Sequence, residues 1–155
     1  MAGGVGSRFW PLSKQKSPKQ FLDILGTGKT MIQMAFDRFS SICPAENYYI
    51  VTNEQYKDLV LEQLPQLKSE QILLEPIMRN TAPCIAYANF KIRQRNKDAH
   101  IIVSPADHLI TNETEFINVL EKGLDYINNT DKLLTLGLKP NRPETGYGYI
   151  QVENN

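Results

Sequence analysis

Along this chain the apolar residues change period repeatedly, from the alternation or short solid runs of strands to the 3.6-residue repeat of helices. Tyr48–Thr52, Gln71–Leu74, Ala99–Ser104 and Lys132–Gly137 read as short, mostly apolar strands of the kind buried on both faces, and Tyr149–Val152 alternates like a further strand. Between them Met31, Ala35, Phe36, Phe39 and Ile42 fall at helical spacing, as do Phe116, Val119, Leu120, Leu124 and Ile127. Residues 54–64 and 82–93 are also helical candidates. Asn80 or Thr81 can cap the latter, and Pro83 is tolerated in a first turn where its missing N–H costs nothing. Strand, helix, strand, helix is the order of an α/β domain with a mostly parallel sheet and right-handed crossovers. Ligands of such sheets lie beyond the carboxyl ends of the strands. The segments to search are therefore Thr52–Asn53, Glu75–Asn80, Pro105–His108 and Lys139–Gly148.

Of the 155 residues 41% are apolar and 22% charged, a balance that buries one core and lies far from that of a disordered chain. The 17 Lys and Arg are matched by 17 Asp and Glu, and no basic block stands out, which speaks against a general nucleic-acid binder. No run approaches the roughly 18 apolar residues that cross a bilayer, and Met1-Ala2-Gly3-Gly4 lacks the regions of a signal peptide. The expectation is a cytoplasmic protein that engages neither nucleic acid nor membrane, with Cys43 and Cys84 as free thiols.

The most specific stretch is the opening one, Gly3-Gly4-Val5-Gly6-Ser7-Arg8-Phe9-Trp10-Pro11-Leu12, followed by Ser17-Pro18-Lys19-Gln20. Three glycines in four positions let backbone approach a polyphosphate and aim N–H groups at it, while Arg8 and Lys19 supply counter-charge. A bare glycine cluster is equally an ordinary turn; the fixed sequel fits no plain turn. Gly26-Thr27-Gly28-Lys29-Thr30 imitates the end of a P-loop, but Asp23 stands where that motif requires glycine. The dinucleotide fingerprint fails likewise, since Phe9 occupies its last glycine position. Gly26–Gly28 are read as a turn, with Thr30 starting the next helix.

Glu75-Pro76-Ile77-Met78-Arg79-Asn80-Thr81-Ala82-Pro83 leads from a strand into a helix, and its carboxylate and amide suit a purine edge, although capping by Asn80 or Thr81 is the plain alternative. In Ser104-Pro105-Ala106-Asp107-His108, Asp107 at a strand end opposite a phosphate loop suits Mg²⁺, which takes one or two carboxylates and completes its shell with phosphate oxygens and water. His108 is read as structural or as a support behind the metal ligand, because no His or Cys cluster with zinc spacing accompanies it. Pro143-Glu144-Thr145-Gly146-Tyr147-Gly148-Tyr149-Ile150 offers an acid, glycines and aromatic faces, a set that holds hydroxyl-rich ligands or simply makes a tight turn.

Together, Met1–Ser13 with Pro18–Leu22 resemble the signature of sugar-1-phosphate nucleotidylyltransferases. The strings Leu74-Glu75-Pro76, Arg79–Pro83, Ser104–His108 and Arg142–Ile150 resemble the guanylyltransferase branch that acts on mannose 1-phosphate. The resemblance implies a Rossmann-like three-layer α/β/α nucleotide-diphospho-sugar transferase fold. It also implies the reaction GTP + mannose 1-phosphate → GDP-mannose + diphosphate, by direct in-line attack assisted by Mg²⁺. By similarity, Arg8 and Lys19 would be catalytic; Gly3, Gly4, Gly6, Ser7, Glu75, Arg79 and Asn80 would bind the nucleotide; Glu144, Gly146 and Tyr147 would bind the sugar; and Asp107 would hold the metal. Residues 1–155 are then expected to be part of one catalytic domain, without its first strand, its remainder and the β-helix that usually follows, and the isolated piece is expected to turn over poorly. A homo-oligomer is left open. The rival readings are a non-catalytic module that binds nucleotide sugar and a nucleotidylyltransferase for another base or sugar.

Overall fold

A computed structural model describes residues 1–4, 9–77 and 79–151. Four helices, α1 (Met31–Arg38), α2 (Lys57–Gln63), α3 (Thr81–Arg95) and α4 (Glu113–Asn128), flank two strands, β1 (Ile50–Thr52) and β2 (Ile72–Leu74). The strands pair in parallel with Ile50 opposite Ile72, Val51 opposite Leu73 and Thr52 opposite Leu74. Parallel neighbours need a crossover, and α2 supplies it.

Because successive strand side chains point to opposite faces, the two strands feed two cores. Ile72 joins Ile32, Tyr56, Val60 and Leu64 on the side of α1 and α2. Val51 and Leu73 join Cys84 on the side of α3. Helices thus cover both faces of the small sheet, in the three-layer order expected from the sequence.

Local chemistry explains the element boundaries. At the start of α1 the Gln33 side-chain oxygen accepts from the Thr30 N–H at 3.0 Å, as in a capping box, and the helix ends at Arg38, short of Ile42 in the predicted apolar stripe. Gly26 and Gly28, at φ of 67° and 79°, form the predicted turn, with the Asp23 carboxylate accepting from the N–H groups of Thr27 (3.0 Å) and Gly28 (2.7 Å). These bonds hold the Asp23 carboxyl below its usual range. At α4, Asn112 is the N-cap, accepting from the N–H of Glu115 at 3.1 Å.

Three predicted strands are not strands in the structure. Among the described residues, 99–104 belong to no ladder and are held at their far end: the Met1 amino group donates to the Ser104 carbonyl (3.1 Å), and Ala106 N–H donates to the Met1 carbonyl (3.2 Å). Ala2 N–H in turn donates to the Val51 carbonyl at 2.8 Å, so Met1 and Ala2 bridge β1 to the 104–106 segment. Beside that bridge lies a cavity of about 640 Å³, lined among others by Phe36, Phe39, Ile92, Ile101, Val103 and Leu124. Facing this space, Ile102 and Val103 are 37% and 43% exposed, and none of the predicted core positions of α4 is fully buried. Residues 132–137 form no ladder, with Leu133 fully exposed, and neither do residues 149–151; Val152 lies outside the described residues. Apolar composition makes a segment fit for a strand, but only a neighbour satisfying its N–H and C=O groups makes it one.

Candidate functional site

Both strands end on the same edge, and the chain continues that edge in register: Glu75 N–H donates to the Thr52 carbonyl at 2.8 Å. The Ala2–Gly4 backbone and the 104–107 segment arrive at the same edge through the Met1–Ala2 bridge. The 3₁₀ turn Lys19–Phe21 comes up beside them. Its start is fixed by Ser13, a buried residue whose hydroxyl accepts from Lys19 N–H at 3.0 Å.

This convergence brings together two of the sequence-predicted residues. Lys19 Nζ forms an ion pair with the Asp107 carboxylate, each side chain being about one quarter exposed, and it lies 5.3 Å from the centre of the Phe9 ring. The loop carrying Asp107 is anchored from behind: Arg38, buried at the end of α1, donates from Nη2 to the His108 carbonyl (3.3 Å) and from Nε to Glu113 of α4 (2.9 Å). His108 thus contributes through its backbone, in keeping with its structural reading. No group of three or more His, Cys, Asp or Glu able to hold a metal exists among the described residues. Asp107 presents a carboxylate here, engaged by Lys19, and carboxylate is a donor type that Mg²⁺ accepts beside phosphate oxygens and water.

The predicted base-binding residues lie on the β2–α3 connection. Glu75 is half-buried beside Cys84, whose thiol is pushed up chiefly by burial and further by that carboxylate. Arg79 and Asn80 are exposed. Asn80 occupies the N-cap position of α3 with φ 67° and ψ −168°, and its side chain makes no capping hydrogen bond. That backbone region is almost confined to glycine, so the capping alternative accounts for neither its conformation nor its side chain. The Gly4 carbonyl accepts from Gln20 Nε2 beside Lys19 (3.0 Å), whereas Gly6, Ser7 and Arg8 lie outside the described residues.

The predicted sugar loop is closed on itself. Glu144 Oε1 accepts from Gly146 N–H (3.1 Å), the Tyr149 hydroxyl accepts from Glu144 N–H (2.7 Å), and Arg142 pairs with Glu144 at 3.5 Å. Tyr147 is 76% exposed. The compact acid–glycine–tyrosine turn is present, but those contacts do not join it to Lys19 and Asp107. Sequence reading passed over Gln20, Arg38 and Ser13, all buried polar side chains at this edge. For Gln20 the available signal was its place directly after Lys19 in the Pro18-Lys19-Gln20 string.

Helices lie on both faces of a small parallel sheet, with a Lys–Asp pair at the strand ends. The chain belongs to the nucleotidyl transferase family, which it matches over residues 1–155. It is 42% identical over 153 residues to mannose-1-phosphate guanylyltransferase of Escherichia coli, covering 97% of this chain and 32% of that protein. The protein of the same name from Klebsiella pneumoniae matches equally, and ManC of Salmonella typhimurium is 43% identical over 155 residues, again 97% of this chain and 32% of that one. The chain thus spans about a third of the length of these relatives. Among solved structures it resembles one described as mannose-1-phosphate geranyltransferase from Thermus thermophilus, with a TM-score of 0.73 and 27% identity over 83% of this chain and 37% of that one. The expected Rossmann-like α/β fold is that of the family. No helix of the described residues is long and apolar enough to cross a membrane.

Proposed function

We propose that this chain carries the nucleotide-binding edge of an enzyme that transfers GMP from GTP to mannose 1-phosphate, giving GDP-mannose and diphosphate. The observation that carries the reading is the Lys19–Asp107 pair at the strand-end edge, beside the glycine-rich entry; the names of the relatives supply the substrates. A phosphate oxygen of mannose 1-phosphate attacks the α-phosphorus of GTP, an O–P bond forms on one side, and the bond to the bridging oxygen of diphosphate breaks on the other. Such displacement is catalysed mainly by positioning and charge stabilisation.

In this reading the backbone N–H groups of Gly3, Gly4 and Gly6, with Ser7, cradle the triphosphate. Lys19 neutralises charge at the α-phosphate, and Arg8, assigned from sequence alone, holds the departing diphosphate. Asp107 would hold Mg²⁺, which would supply charge neutralisation along the triphosphate. Lys19 and Asp107 engage each other, so the cation and the carboxylate stand side by side at this edge. Glu75, Arg79 and Asn80 take the guanine, and Glu144, Gly146 and Tyr147 take the mannose, which requires the 142–149 loop to come to the edge.

The specificity test is a substrate panel in a polypeptide extended at both ends to the relatives' length. Diphosphate release from GTP with mannose 1-phosphate should exceed that from UTP, dTTP or ATP, and from glucose 1-phosphate. A preference for UTP or dTTP would remove the guanylyl assignment. Tight nucleotide-sugar binding without release would favour the non-catalytic module instead.

A further inference from the structure

Gln20 is 3% exposed, and its side-chain amide reaches back across the chain to the entry of the glycine-rich loop. Its Nε2 donates to the Ala2 carbonyl at 2.8 Å and to the Gly4 carbonyl at 3.0 Å. One amide nitrogen carries two N–H donors, and here both are spent on backbone two residues apart. The Ala2 carbonyl accepts a second bond, from the Thr52 hydroxyl at 3.2 Å.

Trans peptide planes carry C=O and N–H in opposite directions. Fixing the Ala2 carbonyl towards Gln20 therefore turns the Gly3 N–H away from it, and fixing the Gly4 carbonyl sets the plane that leads into the loop. Gln20 lies in the same 3₁₀ turn as Lys19, so one short turn holds both the loop backbone and the cation that faces Asp107. Glycine backbone left alone samples many conformations, and a loop that must present N–H groups to phosphate gains affinity from being held beforehand.

We propose that Gln20 is a positioning residue for phosphate recognition: its amide pre-sets the glycine-rich entry and ties it to Lys19. This rests on the nucleotide-transfer reading above and names a residue through which that site is built.

The test is titration of this chain with GTP and with GMP, comparing wild type with Gln20→Met, which keeps the side-chain length and removes both donors. The expected result is a loss of GTP affinity on the order of 10-fold with a much smaller loss for GMP, because GMP presents one phosphate to the loop and GTP three. Thr52→Val is the structural control: it deletes the other bond to Ala2 and should lower stability while preserving the ratio of GTP to GMP affinity. Equal losses for GTP and GMP in Gln20→Met, the same ratio change in Thr52→Val, or unchanged GTP binding would each overturn the proposal. Should Gln20→Met fail to fold, Gln20→Asn, whose amide is one methylene too short to span both carbonyls, carries the same comparison. Wild-type chain that binds neither nucleotide would instead count against the nucleotide-transfer reading itself.

Discussion

Asn80 shows how a single residue separates a structural need from a chemical one. Its φ of 67° with ψ −168° is a conformation that glycine adopts freely and asparagine does not, at a cost of about 1–3 kcal/mol. A residue kept there for stability alone would be glycine. Asn80→Gly is accordingly expected to raise the unfolding free energy by about 1 kcal/mol while weakening GTP binding, because the amide assigned to guanine is gone. Chemical denaturation and a nucleotide titration check the two halves. A glycine variant that is less stable, or that binds GTP as well as wild type, would return Asn80 to a capping role.

At the scale of elements, α1 matters to the site more through its last residue than through its apolar stripe. Arg38 spans from α1 to Glu113 at the start of α4 and to the His108 carbonyl, and so fixes the loop that presents Asp107. Arg38→Ala removes a buried guanidinium and the bonds it makes, and should cost about 2–3 kcal/mol. The urea midpoint reads this directly, and a loss below about 0.5 kcal/mol would mean that the loop is held by other means.

The same contacts mark the boundary of what the sequence could reveal. β1, β2 and all four helices were legible because their signals are local: a short apolar run, a 3.6-residue repeat, a glycine turn, a proline tolerated in a first helical turn. Residues 99–104 and 132–137 carry an equally good strand composition, yet whether they pair depends on which backbone lies alongside, which no local pattern encodes. Lys19 and Asp107 were legible as residue types at strand ends. Gln20 and Arg38 were not, since their roles come from carbonyls of Ala2, Gly4 and His108, located 16 to 70 residues away in sequence.

Across the whole molecule, several acidic hydrogens are held in place by burial. The Tyr48 hydroxyl, which donates to the Phe36 carbonyl at 3.0 Å, is raised above the usual tyrosine range, chiefly by burial, and Tyr56 and Cys84 are raised for the same reason. A raised folded-state pKa means that the native chain binds these protons more tightly than the unfolded one. Their stabilisation is full below the unfolded values, about 8.5 for Cys and about 10 for Tyr, and is lost as pH rises through and beyond them. These groups should therefore make urea midpoints fall progressively from about pH 9, with Tyr48→Phe flattening part of the fall. A profile level to pH 11 would contradict this.

The Lys19–Asp107 pair is the centre on which the functional reading turns, and diphosphate release tests it most directly. With GTP, mannose 1-phosphate and Mg²⁺, in a polypeptide extended to the relatives' length, Lys19→Ala should lower kcat/KM by on the order of 100-fold. Asp107→Asn should shift the Mg²⁺ requirement upwards. Wild-type kinetics in the first variant together with an unaltered metal titration in the second would contradict the assignment of this strand-end edge as the reaction centre.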